Sequence, residues 1–542
     1  MAGGTWVDQN KIRPGVYINY KSAPSSLATM GERGVVAIAR VLDWGERGKF
    51  YRITDPSDCE QFGHAITDAE CLFVRQILLG TNRTQGASKI LLWGLETPVG
   101  STAASLTVTK AEGNSVTFTA KNAGSDGNSL AVEIVENSSA FDVKVYSNDT
   151  LLGTVSSATT YANLTSDVIT NNFVISHEGN GDLSASSKTN LSGGVSGSAK
   201  ATATLGNLVA TAKYYGSFGN RLSVVITAGA SSNFIVQTLL DGQAVDSQTV
   251  SAISGLVAND YVVWSGTGAL AANTGVELSG GTNGEAGLTN YSAFLDALEV
   301  EQFNVVIYDG NNATVQSAFT SFVKRLSNNE GIKCQAVVSN MSPNPDNECV
   351  INVYPHSVKL SDGSQLSAGE LTWWVGGAQS GANVNESLTY CKYPDAVDFS
   401  PKLNSAAQEA AITGGQFSLI SNKGDVQVLT DINSFRTYAV EKGKAFSKNR
   451  VVRTVFGLCN DIYDVFSQYY IGAVSNDEEG RKALKGEILN LMNRYQGIRA
   501  LQNVETDDVT VLKGVDSDAV VIEIYCQPVD SIEKIYVNIT IS

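Results

Sequence analysis

The sequence is poor in histidine, cysteine and charge. Only three histidines occur in 542 residues, and the seven cysteines are scattered without a CxxC pair. A His/Cys metal centre needs closely spaced ligands, so no metal site is predicted and the histidines are interpreted as ordinary core or surface residues. The odd number of separated cysteines predicts reduced thiols in a protein made in a cytoplasm.

Long apolar runs and basic clusters are also missing. No run reaches the length of about 18 apolar residues that crosses a bilayer, so no membrane insertion is predicted. The opening MAGGTWVDQN lacks the apolar stretch of a secretory signal. The formal net charge is -16. Because binding to phosphate backbones requires clustered Lys and Arg, nucleic acid is an unfavourable partner.

Motifs for catalysis and nucleotide binding are absent from the sequence. Neither GxSxG nor GxxxxGK[ST] occurs, and no pair of carboxylates stands out as an acid/base couple. We therefore expect no catalytic residue, no cofactor and no enzyme activity. A polysaccharide-active enzyme with inserted binding modules remains an alternative, because a catalytic couple can be unmarked in the sequence.

The middle of the chain is rich in Ser, Thr, Gly and Val, and it repeats itself. AKNAGSDGNSLAVEI (120–134) matches AKYYGSFGNRLSVVI (212–226), and each copy later reaches LSGG, at 191–194 and 278–281. A period of about 90 residues with alternating apolar runs predicts two tandem all-β modules. Gly-Asn in each copy predicts a tight turn before a strand.

Helices and strands alternate on both sides of this region, which predicts a parallel sheet with crossover helices. Toward the C-terminus one helix is predicted near 434–445. A second is predicted over 476–499, opened by Ser475 and Glu478 as a capping box and marked by an apolar stripe of Leu484, Ile488, Leu491, Tyr495 and Ile498. The second helix carries basic residues in an acidic protein, for which a solvated face with i,i+4 ion pairs is one interpretation: Arg481, Lys482, Lys485, Arg494 and Arg499.

Side chains near both termini alternate in character with period two, which predicts a strand at each end. The ends of most chains are poorly ordered. An N-terminal strand follows Pro14-Gly15, and IEKIYVNITIS ends the chain. Such strands pair either within their own domain or with a neighbouring subunit. The alternation marks Val16, Tyr17, Ile18 and Tyr20 at one end and Ile535, Val537, Ile539 and Ile541 at the other.

Four stretches together resemble the contractile tail sheath proteins of bacteriophages and phage-tail-like particles. The opening RPGVYINYKS resembles the family's first strand, and further similarity follows in the expected order. The resemblance spans roughly 12–98 and 286–542, and the duplicated β-module departs from a minimal sheath protein. The later stretches are DGSQLSAGELTWWVGGAQSGANVNESLTYCKYPDA (362–396), GQFSLISNKGDVQVLTDINSF (415–435) and FSKNRVVRTVFGLCNDIYDVFSQYYIGAVSNDEEGRKAL (446–484).

The resemblance implies a structural subunit that polymerises as stacked, hexameric rings around an inner tail tube protein and contracts to drive the tube through a bacterial envelope. Both terminal arms would pair with neighbouring sheets, and the basic helix would contact the tube. Baseplate and tail-terminator proteins would be further partners. The implied location is the tail of a virion or phage-tail-like particle, assembled in the bacterial host cytoplasm.

The predicted fold is α+β and multidomain: an α/β core with a mixed sheet and flanking helices, two inserted all-β modules of sandwich or barrel type, and extended terminal arms. A surface or adhesive protein with tandem immunoglobulin-like modules is the alternative function. The predicted divisions are 1–20 (N-terminal arm), 21–98 (α/β segment), 99–197 (first module), 198–285 (second module), 286–400 (α/β core), 401–528 (C-terminal domain) and 529–542 (C-terminal arm).

Overall fold

The structure, a computed structural model, describes residues 31–541 apart from positions 32 and 112. The predicted N-terminal strand therefore lies outside the described residues. Within them, no helix is both long and apolar enough to cross a bilayer. The chain begins with part of a central sheet and one helix: β1 (Val35–Arg40), β2 (Phe50–Ile53), α1 (Leu72–Leu79) and β3 (Lys89–Gly94).

The first module contains two antiparallel sheets, ordered β4-β5-β9 and β10-β6-β7-β8, which share one apolar core. Its elements are β4 (Ser105–Ala111), β5 (Asn114–Ala120), β6 (Leu130–Asn137), β7 (Ala140–Ser147), β8 (Thr150–Ala158), α2 (Asp167–Thr170), β9 (Phe173–Glu178) and β10 (Ser186–Asn190).

The second module repeats this plan, with sheets ordered β12-β13-β17 and β16-β15-β14-β18 around its own core. Its elements are β11 (Ser198–Ala199), β12 (Thr202–Leu205), β13 (Leu208–Ala212), β14 (Leu222–Ala228), β15 (Phe234–Leu240), β16 (Gln243–Val250), β17 (Val262–Gly266), β18 (Val276–Glu277) and β19 (Thr282–Asn283).

The two repeated motifs meet in space within each module. The Asn128 side chain donates to the Gly194 carbonyl over 2.8 Å and accepts from the Gly194 N–H over 2.9 Å. Asn220 makes the same pair with Gly281, at 2.9 and 2.8 Å. Each Asn follows a glycine in a 3-10 turn just before a strand. The repeat therefore ties the turn to the distant LSGG segment through one amide.

The central sheet resumes after the modules and is ordered β2-β3-β1-β20-β21-β22-β26, parallel except at β2. The intervening elements are α3 (Leu288–Leu298), β20 (Val305–Ile307), α4 (Ala313–Arg325), β21 (Gln335–Ser339), β22 (Val350–Val353), β23 (Ser357–Leu360), β24 (Gln365–Leu366), α5 (Leu371–Gly381), β25 (Ala396–Ser400), α6 (Ser405–Thr413), β26 (Gln416–Phe417), β27 (Leu419–Asn422) and β28 (Asp425–Val428).

Both faces of the central sheet are covered by helices. Val36 and Ile38 of β1 point into the core formed with α1 and α5, whereas Ala37 and Ala39 point into the core formed with α3 and α4. This double burial explains why β1 is a continuous apolar run rather than an alternating one.

Two side chains between β1 and α1, Trp44 and His64, contact Phe218 of the second module. Trp44 stacks among second-module aromatics, 4.7 Å from the Phe218 ring. His64 is fully buried between carboxylates. Its Nε2 lies 2.7 Å from Asp43 Oδ1, and its Nδ1 lies 3.3 Å from Asp68 Oδ2 and 3.8 Å from Glu70 Oε2. Sequence spacing had not indicated this His–carboxylate cluster.

The C-terminal region contains two long helices and two small sheets. The helix predicted near 434–445 is wrong. Its backbone groups have other partners: the Ala439 N–H, which a helix would bond to the Phe435 carbonyl, bonds to the Lys442 carbonyl, and the Arg436 guanidinium donates to the Phe435 carbonyl. The observed elements are α7 (Asn449–Tyr469), α8 (Glu478–Gly497), β29 (Leu501–Gln502), β30 (Val509–Lys513), β31 (Val520–Ile524) and β32 (Gln527–Pro528).

Helix α8 occupies the region predicted for 476–499, with a different cap. Asp477 is the N-cap, and its carboxylate accepts from Gly480 N–H over 2.8 Å in place of the predicted Ser475. The predicted apolar stripe faces inward, where Leu484, Ile488, Leu491 and Tyr495 are buried.

Candidate assembly site

The segments that resemble tail sheath proteins converge on one buried carboxylate, Asp431, which is 1% exposed. It accepts hydrogen bonds from Gln379 Nε2 (2.6 Å), Asn449 Nδ2 (2.9 Å) and Leu388 N–H (3.1 Å). These donors come from α5, from the start of α7 and from the loop between α5 and β25. We call this cluster the motif junction. A buried charge needs several donors, so the junction fixes these three segments relative to one another.

Arg453 supplies the cation of the motif junction. Its guanidinium donates to Gln379 Oε1 and to the Glu386 carbonyl, and it lies 3.5 Å from Asp431 Oδ2. Burial lowers the pKa of Arg453, and the neighbouring Asp431 opposes this shift. Removing one partner of such a buried pair typically costs about 3–5 kcal/mol, because the remaining charge is left uncompensated.

The C-terminal tail, residues 529–541, leaves the body beside the motif junction. Glu533 is its last anchor: the Lys448 ammonium pairs with the carboxylate, and the Thr389 and Thr430 hydroxyls donate to it over 2.7 and 3.2 Å. The Val529 N–H bonds to the Ala500 carbonyl over 2.9 Å. The tail is thus tied down to Glu533 by side chains on the body.

Beyond Glu533 the tail has no strand partner among the described residues. Every residue from 534 to 541 is exposed and outside regular secondary structure. The predicted strand at this end is therefore not formed among the described residues. The four alternating residues singled out from the sequence are 70–92% exposed: Ile535, Val537, Ile539 and Ile541.

The first described residues are held by the middle of α7. The Gly31 N–H donates to Asp461 Oδ1 over 2.9 Å, and Arg33 Nη2 donates to the Tyr495 hydroxyl over 2.8 Å. Tyr495 in turn donates to Asp461 Oδ2 over 2.5 Å, and burial raises the pKa of Tyr495. The first described residues therefore rest on α7, which also carries Arg453, and the C-terminal tail is held at Lys448, the residue just before α7. Val16, Tyr17, Ile18 and Tyr20 lie outside the described residues.

A two-stranded hairpin, β30–β31, lies against α8 on the same domain. Its strands pair only with each other among the described residues. Val509 faces the core, whereas Leu512 and Val521 are about half exposed at 51% and 47%. Unpaired strand edges with exposed apolar side chains are ready to accept further strands.

The five basic residues singled out from the sequence do not form one patch. Arg481, Lys482 and Lys485 share the first two turns of α8, and Lys482 pairs with Glu478 over 2.6 Å. At about 100° per residue, Arg494 lies about 140° around the helix from Arg481. Arg499 follows the end of the helix, with a positive φ of 61°.

Sequence reasoning missed the acidic residues that organise this site, namely Asp431, Asp461 and Glu533. Each follows or interrupts an apolar pattern, as in VQVLTDI and SIEKI. A single acidic residue in such a run indicates a carboxylate that is buried with the apolar side chains. A buried carboxylate must find donors, but the sequence does not show which distant segment supplies them.

Three family models match the chain in succession. They are the phage tail sheath protein beta-sandwich domain at residues 196–283, the phage tail sheath protein central domain at 284–434 and the phage tail sheath C-terminal domain at 441–542.

Individual proteins show the same similarity. The phage-like element PBSX protein XkdK of Bacillus subtilis (strain 168) is 33% identical over 365 residues, covering 61% of this chain and 77% of that protein. The solved sheath tail protein of Desulfitobacterium hafniense aligns with a TM-score of 0.70 and 34% identity, covering 96% and 99% of the two chains. The sheath tail protein Lin1278 of Listeria innocua gives 0.62 and 25%, covering 94% and 95%.

Proposed function

The chain belongs to the phage tail sheath protein family, and from this membership we propose that it is the repeating subunit of a contractile sheath, linked to its neighbours by exchanged terminal strands. The observation that carries the proposal is the C-terminal tail, whose residues 534–541 are exposed, alternate apolar with polar side chains and pair with no strand among the described residues. Exposure of apolar side chains to water is unfavourable, so we expect another surface to cover this segment.

Strand addition is the mode of binding that suits this tail. Its backbone N–H and C=O groups would pair with a sheet edge and set the register, while alternate side chains fill apolar positions of the acceptor. Burial of one such side chain contributes about 1.5–3 kcal/mol. The hairpin β30–β31 of a neighbour is the proposed acceptor, because it has unpaired edges and half-exposed Leu512 and Val521.

The anchoring of Gly31 on α7 and of Glu533 on Lys448, just before α7, supports a lattice that can change its packing. A subunit that donates strands to a neighbour makes a heterologous contact, which generates rings or helices. We propose stacked hexameric rings around an inner tube, bounded by baseplate and tail-terminator proteins. During contraction the arms would stay paired while the bodies rotate and slide outward. The extended state would be a kinetic trap, so no nucleotide would be consumed.

The first two turns of α8 are the proposed contact with the tube. Arg481, Lys482 and Lys485 lie within about 100° of one another around the helix and place positive charge on an acidic protein. Exposed ion pairs are individually weak, on the order of 1 kcal/mol or less. A contact of this strength would hold the sheath on the tube and still break during contraction.

The tail hypothesis is tested by placing the same charge on opposite faces of the tail. In Val537→Asp/Ile539→Asp two carboxylates would enter the apolar acceptor, so polymerised cylinders should be lost in electron micrographs. In the matched control Asn538→Asp/Thr540→Asp the charges lie on the other face, and cylinders should persist. Both variants should unfold at the wild-type temperature as monomers, because the substituted side chains are exposed in the described part of the chain. Normal cylinders from the first variant would refute strand donation.

A further inference from the structure

A small cavity lies between the central sheet, α5 and α7, and its lining is unusually positive. Its volume is about 30 Å³. Three basic side chains line it, Arg33, Lys333 and Arg453, together with polar and apolar groups but no carboxylate. The counterions lie behind the arginines: Asp461 is 3.7 Å from Arg33, and Asp431 is 3.5 Å from Arg453.

Three buried donors of this lining have no partner in the described part of the chain. They are Arg33 Nε, Arg453 Nε and Ser380 Oγ. Ser380 is 3% exposed and Arg453 is 7% exposed, so neither can turn to bulk solvent. An unsatisfied buried donor typically costs about as much as a lost hydrogen bond, and three around one cavity indicate an occupant that accepts hydrogen bonds.

We propose that this cavity binds a single monatomic anion of chloride size, bridging Arg33 and Arg453. The volume accommodates one such ion or one water, and it is too small for a phosphate group. A water molecule could accept from two of these donors and donate to Ser380 Oγ, but it carries no charge to set against the two guanidinium groups. A halide accepts from all three and reduces the repulsion between the two guanidinium groups.

Other polar groups of the lining already have hydrogen-bond partners within the protein. Lys333 directs its ammonium to the Ser327 carbonyl over 2.5 Å. Asn304 uses its amide oxygen to accept from the Gly34 and Val35 N–H groups. Gly457 lets the Arg33 guanidinium lie against α7, because a Cβ there would come within 2.1 Å of Nη2.

The anion would join the first described residues to the motif junction. Arg33 precedes β1 and Arg453 belongs to the motif junction, so one ion would secure the start of the chain to α7 and α5. Anion binding at this cavity does not depend on polymerisation of the subunit.

The test uses the full-length chain and bromide as the probe. Thermal unfolding should be shifted upward by sodium chloride or sodium bromide relative to sodium gluconate at equal ionic strength, because an anion that binds only the folded state stabilises it. An anomalous-scattering map from bromide-containing crystals should show a peak within hydrogen-bond distance of Arg453 Nε and Ser380 Oγ.

Two variants separate a built site from a chance ion. Ser380→Ala removes one donor, and Arg33→Gln removes one charge. Each should raise the bromide concentration for half-maximal stabilisation by about tenfold, the factor expected for a hydrogen bond to a charged group. Ser247→Ala, at an exposed position of the second module, should leave it unchanged.

Two results would overturn the proposal. Equal unfolding temperatures in halide and gluconate, with no anomalous peak, would mean that water fills the cavity. A bromide peak whose stabilising effect is unchanged in both Ser380→Ala and Arg33→Gln would mean an adventitious ion only.

Discussion

At the scale of single residues, the chain satisfies its buried polar groups across long distances in sequence. Asn220 reaches Gly281 across 61 positions, and Asp431 takes donors from residues 379 and 449. Each such contact closes a long loop, whose entropic cost grows only slowly with length. Individual polar residues therefore determine how the modules and helices close, although they contribute little to the apolar pattern.

His356 is a buried residue whose protonation should limit stability in acid. It is fully buried, and its Nε2 accepts from the Leu419 N–H over 3.3 Å. Burial lowers the pKa of His356 to about 4 from its ordinary 6.5. The unfolded chain then binds the proton more readily than the folded one. Stability should fall by roughly 3 kcal/mol as the pH drops from about 6.5 to about 4.

Denaturant unfolding at a series of pH values measures this loss. His356→Gln keeps an acceptor for Leu419 but cannot be protonated, so its unfolding free energy should fall less steeply over that pH window. His177→Gln, at an exposed position of the first module, should retain the wild-type slope. Parallel curves for wild type and His356→Gln would contradict the assignment.

The repeat and the motif junction show how far single residues could be predicted from sequence. The duplicated Gly-Asn and LSGG segments were visible as a pattern, and the turn before each strand was predicted. Their mutual contact was not, because nothing local to Asn220 identifies Gly281 as its partner. The same holds for Glu533, whose lysine partner, Lys448, is 85 residues away.

At the scale of elements, a regular apolar pattern predicted a helix correctly, whereas a helix with buried polar residues could not be predicted from its pattern. Helix α8 was predicted from its apolar stripe. Helix α7 was not predicted from residue pattern alone, because buried positions on it carry Asn449, Arg453 and Asp461 in place of apolar residues. The segment before it was predicted to be helical, because the sequence does not show which other partners its backbone groups have.

The contact between α1 and α5 explains Gly377, the second glycine of the Gly-Gly pair in the central motif. A Cβ on Gly377 would lie 2.0 Å from the Ile77 carbonyl oxygen, so the two helices approach closely only without a side chain there. Gly377→Ala should therefore destabilise the protein by about 1–3 kcal/mol through overpacking. The shift in the midpoint of denaturant unfolding measures it.

The control for this prediction is the same substitution on an open helix face. A Cβ on Gly486 of α8 would meet nothing within 4 Å. Gly486→Ala should stabilise the protein by up to about 1 kcal/mol, because alanine has the higher helix propensity. Opposite signs for the two variants are the expected result, and a neutral or stabilising Gly377→Ala would show that α1 can move away without cost.

At the scale of the whole molecule, the distribution of charge separates the proposed tube-facing surface from the rest. The chain carries 54 acidic and 38 basic residues, and the first two turns of α8 place three cations beside two acids, Glu478 and Glu479. The sequence alone did not show which of the five basic residues lie together, because that depends on where the helix begins and ends and on the angle between residues around its axis. The structure leaves Arg494 and Arg499 apart from the first two turns of α8.

Charge reversal on these two surfaces distinguishes a tube contact from a general effect of charge. Lys482→Glu/Lys485→Glu should reduce the amount of sheath that co-sediments with purified tube, because it replaces attraction with repulsion at the proposed contact. Arg494→Glu/Arg499→Glu changes the net charge equally and should leave co-sedimentation near wild type. The difference should be largest at low salt and diminish as the screening length falls to about 8 Å at 0.15 M. If the first variant co-assembled with the tube normally at low salt, the contact would have to be assigned to another surface.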